Sequence, residues 1–134
     1  MRVCRFIDSE GDSALGIVED EEVIDLSAAV PSEPAAALAK FGRDGLEKLA
    51  NDAPRLPLAE VELLAPAVPR KYLAIALNYA DHIAEMGMEA PEVPVFFNKQ
   101  VTCVVGPNTE VHMPKVSTLL DYEAELALVI GTRC

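Results

Sequence analysis

Tyr72-Leu73-Ala74-Ile75-Ala76-Leu77-Asn78-Tyr79-Ala80-Asp81-His82-Ile83-Ala84-Glu85-Met86-Gly87 begins as a nearly unbroken apolar run and then changes period. Residues 72–77 carry no charge, which is the mark of a strand buried on both faces. From Asn78 onward the spacing turns helical, with Asn78 as a candidate cap and Gly87 as the exit. The order strand, short helix, glycine sets the character of the second half of the chain. Downstream, residues 93–97 and 102–105 read as strands, and Gly106-Pro107-Asn108 reads as a turn. Residues 110–113 form a short extended piece. Residues 120–130 are the longest strand candidate, closed by Gly131.

Upstream, Pro54, Pro57, Pro66 and Pro69 surround Val61-Glu62-Leu63-Leu64. Proline fixes φ and removes a donor, so this stretch is expected to be an extended connector with at most one edge strand. A boundary near Pro69 divides the chain into residues 1–69 and 70–134. In the first part, residues 3–7, 14–18 and 22–26 are short β-like runs. They are separated by the turn chemistry of Asp8-Ser9-Glu10-Gly11-Asp12 and Glu19-Asp20-Glu21, which predicts an antiparallel meander. Two short helices follow: residues 33–41, capped by Ser32 and stopped at Gly42, and residues 45–51, capped by Asp44. Strands outnumber helices, so the expected class is α+β and β-rich.

Of the 134 residues, 51% are hydrophobic, enough for a buried core. Eleven basic residues against 22 acidic ones give a net charge of −11. Such a chain repels phosphate backbones and anionic lipid, which argues against nucleic acid and membrane as partners. Cys4, Cys103 and Cys134 are far apart and in no C-x-x-C spacing, so neither a disulfide framework nor a zinc site is expected. Cys103 lies in an apolar run and reads as a core residue. No apolar signal core or membrane-length stretch is seen, and the expected location is the cytoplasm.

Two constellations carry chemistry. In Asp121-Tyr122-Glu123-Ala124-Glu125-Leu126-Ala127-Leu128-Val129-Ile130-Gly131, a strand would aim Glu123 and Glu125 the same way, roughly 7 Å apart. Two carboxylates in a run built for burial are costly unless neutralised, and a hard cation with oxygen ligands does that well. The plainer alternative is a wet sheet face. In Asp81-His82-Ile83-Ala84-Glu85, a helix makes His82 and Glu85 i, i+3 neighbours. A carboxylate beside an imidazole suits a general base that takes a proton from water. An exposed helix face with a bystander histidine fits the same spacing. Lys99, after Val95-Phe96-Phe97, either anchors an anionic substrate or snorkels to water. His112 reads as a structural or surface residue.

Taken together, residues 72–87, the segment Pro94-Val95-Phe96-Phe97-Asn98-Lys99 and residues 120–134 resemble the catalytic domain of the fumarylacetoacetate hydrolase family. The three motifs occur in the family's order, and the first seventy residues resemble the variable N-terminal domain of many bacterial members. The resemblance implies a mixed β core in a homodimer that holds Mg²⁺ or Mn²⁺ between carboxylates. By motif, Glu123 and Glu125 would be two of the ligands, His82 and Glu85 the dyad that activates water, and Lys99 a lysine near the site. The implied activity is hydrolysis of a carbon–carbon bond in a small 2-oxo or β-diketo acid, of the acylpyruvate or fumarylacetoacetate type. Isomerases and decarboxylases of 2-oxo acids share the scaffold. A third reading from the residues is a non-catalytic assembly module. This sequence departs from the family in having Gln100, where proline commonly follows the lysine. The family's remaining ligand lies downstream of the Glu-x-Glu strand, so the sequence is expected to be a piece of a longer protein.

Overall fold

The computed structural model describes residues 1–131, so Cys134 lies outside the described residues. The chain divides into two compact units, residues 1–67 with 105 onward, and residues 68–104. In the first, β1 (Arg2–Ile7), β2 (Ser13–Glu19), β3 (Glu22–Asp25) and β4 (Arg55–Pro57) form one antiparallel sheet in that order. The expected meander is present, and its turns follow from their residues. The Asp8 carboxylate accepts the backbone N–H groups of Glu10 and Asp12, both at 2.9 Å, while Gly11 takes φ 87°. Between β2 and β3, Asp20 adopts φ 50°, a conformation that Asp tolerates better than most residues.

Alternation along the strands assigns two apolar faces. Leu15, Ile17 and Ile24 pack with Leu26, Val30, Ala37 and Leu46 beneath α1 (Pro34–Ala50). On the opposite face Phe6, Ala14 and Val23 meet Leu56, Leu58, Val61 and Leu63 of the connector. Each fully buried Phe or Leu contributes roughly 1.5–3 kcal/mol. Gly16 lies between the cross-strand neighbours on this face: a Cβ there would sit 2.5 Å from Val23 Cγ1.

α1 is two helical runs joined at Gly42, whose φ 65° and ψ 176° are not helical. The predicted stop is therefore real, but the chain resumes its helix at once. The expected Ser32 cap is replaced by Glu33 at the cap position, with Pro34 opening the first turn. Proline needs no partner for an N–H and has its φ already set, and Ser32 Oγ lies 3.2 Å from Ser13 Oγ instead. The connector supplies two pieces of edge. β4 flanks β3, and Leu63 bridges Phe6, with Ile7 N–H donating to Glu62 O at 3.0 Å and Leu64 N–H to Arg5 O at 2.8 Å. Buried Arg5 ties these parts together. Its Nη1 donates to Ala65 O at 3.0 Å, and its Nε is 3.3 Å from Glu33 Oε1, close enough for ion pairing but not aligned as a hydrogen bond. Burial pushes the half-buried Cys4 thiol up, which leaves it mostly protonated and unreactive.

The second unit pairs β5 (Tyr72–Ala76) with β6 (Val95–Lys99), antiparallel, in the register Tyr72↔Lys99 to Ala76↔Val95. α2 (Ala80–Glu85) lies between them in sequence. Its glycine exit is a Schellman motif: Gly87 at φ 64° donates to Ala84 O, and Met88 N–H reaches Ile83 O at 3.2 Å. Both sheets are antiparallel and helices are few, so the α+β, β-rich class stands.

Further expectations are corrected. β5 is not buried on both faces; Leu73 is 57% exposed, because pairing with β6 satisfies an edge of β5 and covers neither face. Asn78 does not cap α2; Tyr79 holds the cap position, with no side-chain bond. Residues 102–105 are not a strand, because Val101–Cys103 winds into a 3₁₀ turn closed by Cys103 N–H to Gln100 O at 3.0 Å. That turn exposes Cys103, so it is not a core residue. The same holds on a larger scale for residues 120–130. They form no strand among the described residues, since apolar alternation alone cannot satisfy a backbone without a neighbour to pair with.

Candidate active site

His82 and Glu85 are placed by β5 and by the bend that follows it. Leu77 turns the chain at φ 52°, a left-handed conformation uncommon for a bulky residue, and α2 starts within three positions of it. Strain of this kind is often kept where a site needs a set geometry. No sequence signal marks Leu77, since its composition is that of an ordinary strand residue. On α2 the i, i+3 spacing brings His82 Nδ1 to 3.9 Å from Glu85 Oε2, with side chains 44% and 81% exposed. That separation is ion-pair distance for a protonated imidazole and too long for a hydrogen bond. Catalytic pairs are often this loose before substrate binds.

Lys99 ends β6 half-buried, with its Nζ 6.0 Å from the centre of the Tyr72 ring and 5.8 Å from that of Phe97. Its ammonium therefore lies along the aromatic face of the sheet. Tyr72 and Phe97 carried no role in the sequence reading. The i, i+2 spacing of Phe97 and Lys99 on a strand was a usable signal, whereas the cross-strand position of Tyr72 was not. His112 is exposed, as expected of a surface residue.

Glu123 and Glu125 are exposed, in an irregular stretch that pairs with no strand among the described residues. Their donor chemistry suits a hard cation in kind. In number it does not: among the described residues no group of three or more His, Cys, Asp or Glu side chains is placed to hold a metal. His82, Glu85 and Lys99 belong to one compact unit, Glu123 and Glu125 to the other.

The family model described as "Fumarylacetoacetate (FAA) hydrolase C-terminal" matches residues 71–134, and "Rv2993c-like, N-terminal" matches residues 1–66. The chain belongs to the fumarylacetoacetate hydrolase family. Among its relatives, Protein Rv2993c of Mycobacterium tuberculosis is 49% identical over 78 residues, 58% of this chain and 29% of that protein. Oxaloacetate tautomerase fahd2, mitochondrial, of Xenopus laevis is 35% identical over 143 residues, 99% of this chain and 45% of that one. The crystal structure of maleylpyruvate hydrolase from Sphingobium sp. SYK-6, in complex with manganese(II) ion and pyruvate, matches with a TM-score of 0.61 at 27% identity. That match covers 86% of this chain and 43% of that one. The chain spans about half or less of the length of the curated relatives it matches. Members of this fumarylacetoacetate hydrolase family thus include a hydrolase and a tautomerase. No helix among the described residues is long and apolar enough to cross a membrane.

Proposed function

We propose that the protein is a divalent-metal-dependent hydrolase that cleaves a carbon–carbon bond in a small 2-oxo or β-diketo acid of the acylpyruvate or fumarylacetoacetate type. The observation that carries this reading is the pairing of His82 and Glu85 on α2, directly after β5. Glu85 sits beside Nδ1, where its carboxylate favours the protonated imidazole that forms when the ring takes a proton from water. The water oxygen then bonds to the carbonyl carbon, and the carbon–carbon bond breaks. Its electron pair passes to the departing fragment, which is protonated on release. Lys99 neutralises and orients the substrate carboxylate. Glu123 and Glu125 are assigned as two ligands of Mg²⁺ or Mn²⁺. Such a cation, when bound, supplies Lewis-acid stabilisation of the negative charge that develops on the 2-oxo group. Maleylpyruvate hydrolase of this family is solved with manganese(II) and pyruvate, which supports a divalent cation and a small 2-oxo acid as the ligands. For the whole protein we further propose a cytoplasmic homodimer and a domain boundary near Pro69.

A second reading, a tautomerase, isomerase or decarboxylase of 2-oxo acids, draws support from the 35% identity to oxaloacetate tautomerase. Those reactions need no attacking water. The test is His82→Ala and Glu85→Gln in the full-length protein, assayed with acetylpyruvate and with oxaloacetate. Acetylpyruvate cleavage should fall by roughly 10²–10⁴, the usual worth of a positioned base. Oxaloacetate turnover that persists in both variants supports the hydrolase role of the dyad. Full cleavage activity in both variants ends it.

A further inference from the structure

We propose that Tyr72 and Phe97 are positioning residues that hold the Lys99 ammonium against the sheet, presented to the carboxylate of a small 2-oxo acid. The inference rests on the reading of Lys99 as the carboxylate anchor and adds what makes that anchor effective. Lysine is a poor anchor by default. Its long stem has many rotamers, and the charge ordinarily swings out to water. Here the register places Tyr72 directly opposite Lys99, and Phe97 two residues before it on the same strand face. Both ring centres come within 6.0 Å of Nζ, the range in which a ring face attracts a cation. Among the described residues only Lys99 lies over two rings; Lys40 has Phe41 alone. Phe97 remains 45% exposed, so burial does not account for its place. A cation attracted to ring faces keeps its remaining N–H donors for a carboxylate, and part of the ordering cost is met before the ligand arrives.

The experiment measures pyruvate affinity by calorimetry in the full-length, Mn²⁺-loaded protein. Tyr72→Leu and Phe97→Leu should each weaken pyruvate binding about two- to fivefold, the reach of a partly exposed cation–π contact. Tyr72→Phe and Phe97→Tyr keep the ring faces and should restore affinity to within about twofold of the parent. In a Lys99→Ala background, either leucine substitution should have no further effect. If Lys99→Ala leaves pyruvate binding unchanged, the anchor reading itself falls. If Lys99→Ala weakens binding while ring loss does nothing, or acts equally without Lys99, the anchor stands and the present inference is overturned. Should Tyr72→Leu fail to fold, Phe97→Leu carries the same cycle.

Discussion

Glu123 and Glu125 keep their spacing whatever backbone lies between them, but the face they share depends on that backbone. In a strand both carboxylates point one way, and in the irregular stretch seen here that direction is no longer set by pairing. The pair is therefore a candidate by residue type. If the two are co-ligands in the full-length protein, Glu123→Gln or Glu125→Gln should weaken Mn²⁺ binding by roughly tenfold or more. Losing a partner one shell further out already costs 10–100-fold in other metal sites, as an order of magnitude. Titration calorimetry that finds parental Mn²⁺ affinity in both variants rules out the assignment. His82 and Glu85 differ in kind, because a helix turn alone brings them together, and α2 supplies that turn.

At the scale of elements, turn chemistry was the most legible signal. Asp8 and Gly11, Asp20, and Gly87 all act where their residue types say they should. Gly42 makes the sharpest case. Its φ 65° and ψ 176° lie in a region essentially reserved for glycine, while a Cβ there would meet nothing within 4 Å. Gly42→Ala therefore tests backbone strain without steric interference. It should destabilise the N-terminal unit by about 1–3 kcal/mol, read as a lower urea midpoint at constant slope. An unchanged midpoint would mean that α1 can straighten through this position. Strands read from apolar content alone fared less well. Residues 72–76 found β6 as a partner, whereas residues 102–105 closed into a 3₁₀ turn and residues 120–130 form no strand among the described residues.

For the molecule as a whole, the buried core belongs to the N-terminal sequence. Among the described residues, every fully covered apolar side chain lies between Phe6 and Ala50, and the partners that pack on them extend from Val3 to Leu63. Large apolar residues after 90, such as Phe96, Leu119, Tyr122, Leu126 and Leu128, are exposed. Residues 1–67 on their own should therefore fold and melt cooperatively, although a unit of that size is only marginally stable. Thermal circular dichroism is the check. A gradual, non-cooperative melt would show that the core needs covering from elsewhere in the chain.

The sequence by itself determined whatever depends on neighbours a few residues apart: the meander and its turns, the break at Gly42, the Schellman exit at Gly87, and the meeting of His82 with Glu85. Motif order was equally legible, and family membership followed from it. Tertiary structure decided whatever depends on a distant partner. The return of Leu63 beside Phe6, the burial of Arg5 between Glu33 and Ala65, and the arrival of Tyr72 opposite Lys99 are of this kind. So is the irregular backbone at Glu123 and Glu125. The physical reason is that turns and helices satisfy their hydrogen bonds within one stretch of chain, whereas a strand is completed only by another strand.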